Sequence, residues 1–429
     1  MKHYLIKKAC VLACTLLLGS QVQAATWSTS ADIRERYQIF NNFDFNSALD
    51  KDTFELDSRL YLKAKADFGY GFSAYIQPQA ILIRNNTKTT GTQSLTQSDL
   101  YQAYVQYRYK GLGVKLGRQT LVYGDQRLLG HLGWKDVART FDGVKAFYHQ
   151  GAVKLDVFAV HPADITSMTP TTTSPQGKSL VTWEDRRLIG GYATYTIMPK
   201  TGVDAYFINW HHNQHASTGQ GRNINTFGTR LFGQWNGFDA TGEYVRQQGT
   251  WKNGVSQQAD ALAVKAGYTF GFWKTRLGVE FDYSPGDDKA NPNKHKNFVF
   301  PFHTNHMHYG EMDRFSWANL KDVRFSLKTS PAHGLSLMAD THLFWLADAR
   351  SDWLNVVGTG VLFAGNPTFT QTRAGTEVDL KLAYKLSFLK GFKLVGLYGL
   401  FNPGAAVRER NGGIANNANF GYVLGQYVF

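Results

Sequence analysis

Polarity alternates at every second residue through most of this chain, and that pattern sets what it can fold into. From Phe54 to Phe68 one face carries Phe54, Leu56, Leu60, Leu62, Ala64, Ala66 and Phe68, and the other Glu55, Asp57, Arg59, Tyr61, Lys63, Lys65 and Asp67. A period of two is a strand with one oily and one wet side. Its length, about three times the usual 5–6 residues, suits a tilted membrane strand that continues beyond the bilayer. The pattern recurs. In Trp27 to Ile39, Ser28, Ser30, Asp32, Arg34, Arg36 and Gln38 oppose a mostly apolar set broken by Glu35. In Ala374 to Leu386, Glu377, Asp379, Lys381 and Lys385 oppose Val378, Leu380, Leu382, Tyr384 and Leu386.

Such segments number about eighteen, and the links between them go long, short, long, short. Short links fall at 69–70, 110–112, 150–152, 197–201, 235–236, 271–272, 331–334 and 388–391. Long ones fall at 41–53, 85–99, 120–140, 162–187, 211–222, 249–259, 284–316, 347–373 and 402–419. This asymmetry is that of an all-β transmembrane antiparallel barrel with short periplasmic turns, long extracellular loops and an even strand number. A soluble sandwich gives no reason for it. Val423, Tyr427 and Phe429 share one face of a last strand expected to close on the first, which removes edges that would cost several kcal/mol per unpaired group in hydrocarbon. Trp27, Tyr109, Trp210, Trp273, Trp317 and Phe429 stand at strand ends, where interfacial girdles form. A helical membrane protein is excluded, because no apolar run after the first two dozen residues approaches the ~20 needed.

Residues 1–24 read as a secretory signal: Lys2, Lys7 and Lys8, the apolar stretch Ala9 to Leu18, then Val22-Gln23-Ala24 before the expected cleavage. Lipoprotein processing at Cys14 is the lesser alternative, since the apolar stretch runs past it. Residues 25–429 then form a single outer-membrane barrel. Cys10 and Cys14 leave with the signal, so no disulfide staples the exported chain. Loss of three lysines and no acid takes the formal charge from +13 to +10. Behind a signal, that basicity points away from nucleic acid and towards an anionic substrate or surface.

The wet face carries sixteen cations, among them Arg34, Arg36, Arg59, Lys63, Lys115, Arg276, Arg324, Lys328, Lys381, Lys385 and Lys393, against eleven acids, including Asp32, Asp57, Asp156, Glu243, Glu280, Asp282, Asp340, Glu377 and Asp379. Two outcomes stay open. Wall-to-wall ion pairs would merely hydrate the interior; unpaired arginines would select anions, and Arg34, Arg59, Arg276 and Arg324 are the candidates. Arg187, Arg373, Arg408 and Arg410 lie where loops meet strands, either extending that basic path or solvated there. The loop holding His295, His303, His306 and His308 has weak metal-ligand spacing and is not assigned a metal; no cofactor is expected. HExxH, GxSxG and phosphate-loop patterns are missing from the sequence, which disfavours a barrel enzyme.

The densest polar feature is Gly117-Arg118-Gln119, then Tyr123-Gly124-Asp125-Gln126-Arg127-Leu128-Leu129-Gly130, Trp134, and Arg139-Thr140-Phe141-Asp142-Gly143. Here the chain resembles the alginate export family of outer-membrane proteins, whose members carry a similar Gly-Arg-Gln segment, Tyr-Gly-Asp-x-Arg-Leu-x-Gly, a Trp, and Arg-x-Phe-Asp-Gly. The resemblance implies an eighteen-stranded monomer with an Arg-lined constriction that passes an anionic uronate polysaccharide. It carries Arg118, Arg127, Arg139 and Asp142 onto the constriction. The same motif has a second reading, in which its glycines and Arg–Asp pairs fix an inward-folded loop; Asp125 and Asp142 are divided between the two. The expected function is therefore a passive, anion-selective channel, with a general porin for small organic anions as the alternative, and a barrel enzyme or a receptor behind it. Expected partners are an anionic oligo- or polysaccharide, outer-membrane lipid and a periplasmic export scaffold. Solute identity and direction of travel stay open.

Overall fold

The computed structural model of the protein describes residues 25–49, 52–87, 91–163, 186–213, 221–300, 302–358 and 360–429. The expected signal and most of the expected link 162–187 lie outside these residues. Eighteen long strands make the sheet: β1 (Thr26–Asn41), β2 (Thr53–Gly69), β3 (Phe72–Thr87), β4 (Gly91–Tyr109), β5 (Leu112–Gln119), β6 (Phe141–Gln150), β7 (Val153–Pro162), β8 (Arg186–Met198) and β9 (Thr201–His212). They continue with β10 (Arg222–Trp235), β11 (Phe238–Thr250), β12 (Ser256–Thr269), β13 (Arg276–Ser284), β14 (Leu320–Ala332), β15 (Leu335–Trp345), β16 (Arg373–Lys385), β17 (Phe392–Pro403) and β18 (Ala418–Val428). Each is antiparallel to the next, and β18 returns to β1 in a register running from Asp32 opposite Val428 to Asn41 opposite Asn419. The ring is closed, so its strands pair without an edge.

The turns on one side are tight because their residues accept left-handed backbone. Tyr70-Gly71, Lys110-Gly111 and Asn236-Gly237 all have positive φ at both positions, the requirement of a type I′ hairpin. Gly71 admits nothing larger, since a Cβ there would lie 2.0 Å from the Arg108 carbonyl oxygen. Polarity is inverted relative to a soluble protein. Ile33, Tyr37, Leu62, Val105 and Leu116 are exposed on the outside, whereas Asp32, Arg34, Arg36, Gln38, Asp57 and Arg59 are buried within. Outside, at the turn end, Trp27, Tyr70, Tyr109, Trp235, Phe272, Trp273, Phe388 and Phe429 are exposed, as a girdle requires.

Four expectations are corrected. The link 85–99 is not a long loop: β3 and β4 stay paired as far as Thr87 and Gly91. That run is polar on both faces because it stands beyond the bilayer, so alternation gave no strand signal. The link 249–259 likewise shrinks to residues 251–255. Trp273 and Lys274 fall in a 3-10 turn with positive φ rather than at the start of a strand, which takes Lys274 off the lumen wall. Trp210 and Trp317 are not girdle residues; they are buried inside the ring.

Those two tryptophans belong to an apolar core that fills part of the loop-side half of the lumen. Phe158 and Val160 of β7, Leu188 of β8, Ile208 and Trp210 of β9, Ile224 of β10 and Val245 of β11 all point inwards. Leu121, Leu128 and Leu129 of the connection 120–140, here called loop 3, pack on them, as do Phe298, Phe300 and Phe302 of the connection 285–319, loop 7. Each such side chain contributes roughly 1.5–3 kcal/mol by leaving water.

Candidate functional site

Loop 3 enters the lumen because β5 and β6 are short, with 8 and 10 residues against 16 to 19 in β1–β4. Its tip, Gly133 to Asp136, reaches the opposite wall. Arg34 donates to the carbonyls of Gly133 and Trp134, each at 3.0 Å, and pairs with Asp136. Arg36 donates to the Trp134 carbonyl at 2.7 Å, to Asp136 at 2.6 Å and to Asp57 at 2.6 and 3.0 Å. Arg59 donates to the Gly133 carbonyl at 3.2 Å. Burial alone would raise the Asp136 carboxyl, but Arg34 and Arg36 hold it below the usual carboxylate range. The Trp134 ring is clasped between Arg36, 4.1 Å away, His306 at 4.0 Å and Tyr422 at 4.7 Å.

The rest of the motif fastens loop 3 to the other wall and to loop 7. Tyr123 donates to Asp156 at 2.7 Å and stacks on Tyr192 at 4.6 Å. Gly124 has φ +52°, and a Cβ there would crowd the Tyr192 hydroxyl. Asp125 pairs with Arg230 at 3.2 Å and with Lys265. Arg127 meets Glu280, Asp282 at 2.9 Å and the Tyr309 hydroxyl at 2.9 Å. Gly130 donates to the Phe302 carbonyl, and a Cβ there would sit 2.1 Å from the Thr304 hydroxyl. Arg139 donates to the His303 carbonyl at 2.7 Å.

Arg118 and Asp142 lie elsewhere. They are cross-strand partners on the face of Leu116 and Val144, which looks away from the lumen, and Arg118 grips Asp142 at 2.8 and 2.9 Å and Asp99 at 3.2 Å. Gly117 and Gly143, also directly opposite, let neighbouring backbones approach: a Cβ on either would come within 2.4 Å of a carbonyl oxygen. Arg276 forks onto Asp239 at 2.6 and 2.8 Å, and Arg324 meets Asp340 and, at 3.5 Å, Glu280. Arg373 donates to the Phe344 and Gly375 carbonyls and to Thr376. Arg187 is half-buried on β8, opposite His211 of β9.

The histidines of loop 7 have separate partners and, among the described residues, form no metal-ligand cluster. His295 stacks on Trp251 and bonds Gln257 at 2.7 Å; burial lowers it to about 4. His303 lies against the Phe300 and Val356 carbonyls, and burial also lowers it to about 4. His308 bonds the Asp125 carbonyl at 2.7 Å. His306 sits 2.7 Å from Glu311 and 3.3 Å from Asp313; burial would lower it, but these carboxylates raise it to about 9.

Beside this plug, against β1–β4, a cavity of about 590 Å³ remains. Arg34, Arg59, Lys63, Tyr61, Tyr75 and Tyr101 help to line it. Tyr61 and Tyr101 stack in parallel at 5.1 Å, with the Arg59 guanidinium 4.2 Å above Tyr61. Of the arginines the sequence nominated, only Arg34 and Arg59 line this cavity. Arg36 and Asp136, which hold the loop tip, were not nominated. Charge alternation had put Arg36 on the wet face, but nothing in the spacing of loop 3 marked Asp136 as its partner. The tyrosines were missed because the same alternation counts them only as a polar position.

Solved structures share this architecture. Pseudomonas aeruginosa OpdQ superposes with a TM-score of 0.62 at 13% identity, covering 95% of this chain and 99% of that one. P. aeruginosa OccK5 (OpdH) does so at 0.61 and 10%, covering 94% and 98%. P. aeruginosa OccK2 (OpdF), solved in complex with glucuronate, gives 0.60 and 10%, covering 94% and 98%. The fold is therefore that of outer-membrane porins. No curated protein matches the sequence. Residues 26–420 match the family described as alginate export, and the chain belongs to that family.

Proposed function

We propose that the chain conducts anionic sugar chains of the uronate type across the outer membrane, along the β1–β4 wall. One observation carries this reading: the cavity left by loops 3 and 7 joins cations to aromatic rims. Arg59 has a single hydrogen-bond acceptor among the described residues, the Gly133 carbonyl, and its Nε has none. A guanidinium fork suits a carboxylate, and the aromatic rims of Tyr61, Tyr75 and Tyr101 line the same cavity beside it. A charge pair 4 Å apart is worth roughly 1–4 kcal/mol at effective dielectrics of 80 to 20, strong enough to select and weak enough to release. Arg34 and Arg59 are assigned to the solute path. Arg127, Arg139, Asp125 and Trp134 are assigned to holding loop 3, and Arg118 with Asp142 to the rim of the sheet. The same reading takes residues 1–24 as an export signal and 25–429 as one barrel that acts as a monomer, fed by a periplasmic scaffold.

A second reading, a porin for small organic anions, is favoured by the cavity's volume, which matches a single-ligand site, and by the glucuronate held by OccK2 (OpdF). Planar-bilayer recording separates the two. The first reading expects anion selectivity, block by uronate oligomers at lower concentration than by the monomer, and none by a neutral oligosaccharide. Equal block by monomer and oligomer supports the second. Cation preference with no block by either contradicts both.

A further inference from the structure

The lumen wall at the turn side carries like charges that a purely structural barrel would not keep. Lys385 of β16 stands directly opposite Lys393 of β17, and Lys328 of β14 directly opposite Arg276 of β13. Lys328 and Lys381 also flank Met338 on the two sides of β15. Like charges facing each other across strands destabilise a sheet. Two of these cations are relieved: Arg276 by Asp239 and Lys381 by Glu311. Lys328, Lys385 and Lys393 have no carboxylate partner among the described residues. Like charges also meet elsewhere on the inner face, as in Arg34 opposite Arg59 and Lys115 opposite Lys145, but there a carboxylate stands beside one of the pair, Asp136 at Arg34 and Asp156 at Lys145. Lys385 and Lys393 face each other with neither relieved among the described residues.

Resting on the uronate reading above, we propose that Lys328, Lys385 and Lys393 form a capture site where carboxylates of the sugar chain first engage the lumen. Strands ~4.8 Å apart spread the three cations over one to three strand widths, which meets several carboxylates of one chain instead of enclosing one. The site adjoins the cavity, because Lys393 lies opposite Gln426 of β18, which is part of the cavity lining. Short turns face the periplasm in outer-membrane barrels. The chain thus arrives from the periplasm, is concentrated by the lysines, and passes to Arg59 and the tyrosine pair. Clefts lined by one sign of charge raise association rates 10-fold or more, with steep salt dependence.

The test is block of the reconstituted full barrel by uronate oligomers added to one side at a time, for the native chain and for Lys328→Gln/Lys385→Gln/Lys393→Gln. The association rate from the turn side is expected to fall at least 10-fold and lose its salt dependence, while block from the loop side changes less than 2-fold. The triple Lys→Arg variant should retain block. Because the Gln variant removes repulsion, its thermal midpoint should equal or exceed the native one, which separates a binding role from a structural one. Equal loss from both sides, no loss, or a lower midpoint overturns the proposal. So does a polyglutamate peptide that blocks from the turn side as well as the sugar, since the site would then serve an acidic protein segment. If the native barrel is not blocked from either side, the uronate reading itself fails.

Discussion

Two walls of the same lumen are built on different principles. On β1–β4 most buried inward positions are polar, among them Arg34, Arg36, Gln38, Asp57, Arg59, Gln77 and Gln79, with Ile81 the aliphatic exception. On β7–β11 the inward positions of the loop-side half are Phe158, Val160, Leu188, Ile208, Trp210, Ile224 and Val245. The second wall is dry, and the loops pack on it as they would on a soluble core. The first is wet, and the tip of loop 3 meets it through ion pairs, carbonyl acceptors and the Trp134 ring lying against Arg36. A barrel this wide needs both: an apolar wall to anchor the plug, and a polar wall beside which a solute can move without meeting grease.

The largest effect should come from the bolt that ties loop 3 to β13, between the ends of the plug that meet the two walls. Arg127→Ala leaves Asp282 buried without its cation and Glu280 with Arg324 alone, which costs about 3–5 kcal/mol. Urea unfolding of the detergent-solubilised barrel reads it. A loss under 1 kcal/mol would show that loop 3 is held by its leucines alone. Slightly smaller, about 3–4 kcal/mol, is the cost of Phe158→Ala on the dry wall, where a cavity opens under Tyr123. Tyr61→Phe on the wet wall should change stability by less than about 0.5 kcal/mol, because its hydroxyl has no partner among the described residues. Similar costs at both positions would erase the distinction between the walls.

Between these lies a pH effect on loop 7. Burial opposes charge on both His306 and Glu311, yet their pairing wins, raising the imidazole to about 9 and lowering the carboxyl to about 2. The histidine's stabilisation is complete below its unfolded value of ~6.5 and is lost as pH rises through 9. The glutamate's is complete above ~4.3 and is lost as pH falls through 2. Loop 7 should therefore be held most firmly between about pH 4.5 and 6.5, with on the order of 2–3 kcal/mol at stake. Conductance recorded against pH should become noisier on the alkaline side, and His306→Gln should abolish that transition.

Much of the ring was legible in the sequence, because lipid demands apolar residues at alternate positions wherever a strand crosses it. The reading failed where that demand lapses. Asn85 to Gln97 stands beyond the bilayer and is polar on both faces, so a paired strand looked like a loop. On β9 both faces are apolar, outward to lipid and inward to the plug, so Trp210 could not be told from a girdle residue. The motif around Arg127 marked loop 3 correctly as the densest polar feature. Spacing could not reveal that Arg127 and Asp125 end on β10, β12 and β13, more than a hundred residues away. Alternation did put Arg118 on the outward face of Val114 and Leu116; the motif resemblance, not the spacing, carried it onto the constriction.

Cysteine accessibility tests the two-wall account most directly, since the sequence has no cysteine after residue 24. Gln102→Cys is on the cavity lining of the wet wall, and Ile208→Cys is on the dry one. With a negatively charged, membrane-impermeant thiol reagent, the account predicts fast modification at position 102, slowed by added uronate oligomer, and no modification at 208. Equal reaction at both positions, or no protection at 102, would contradict it.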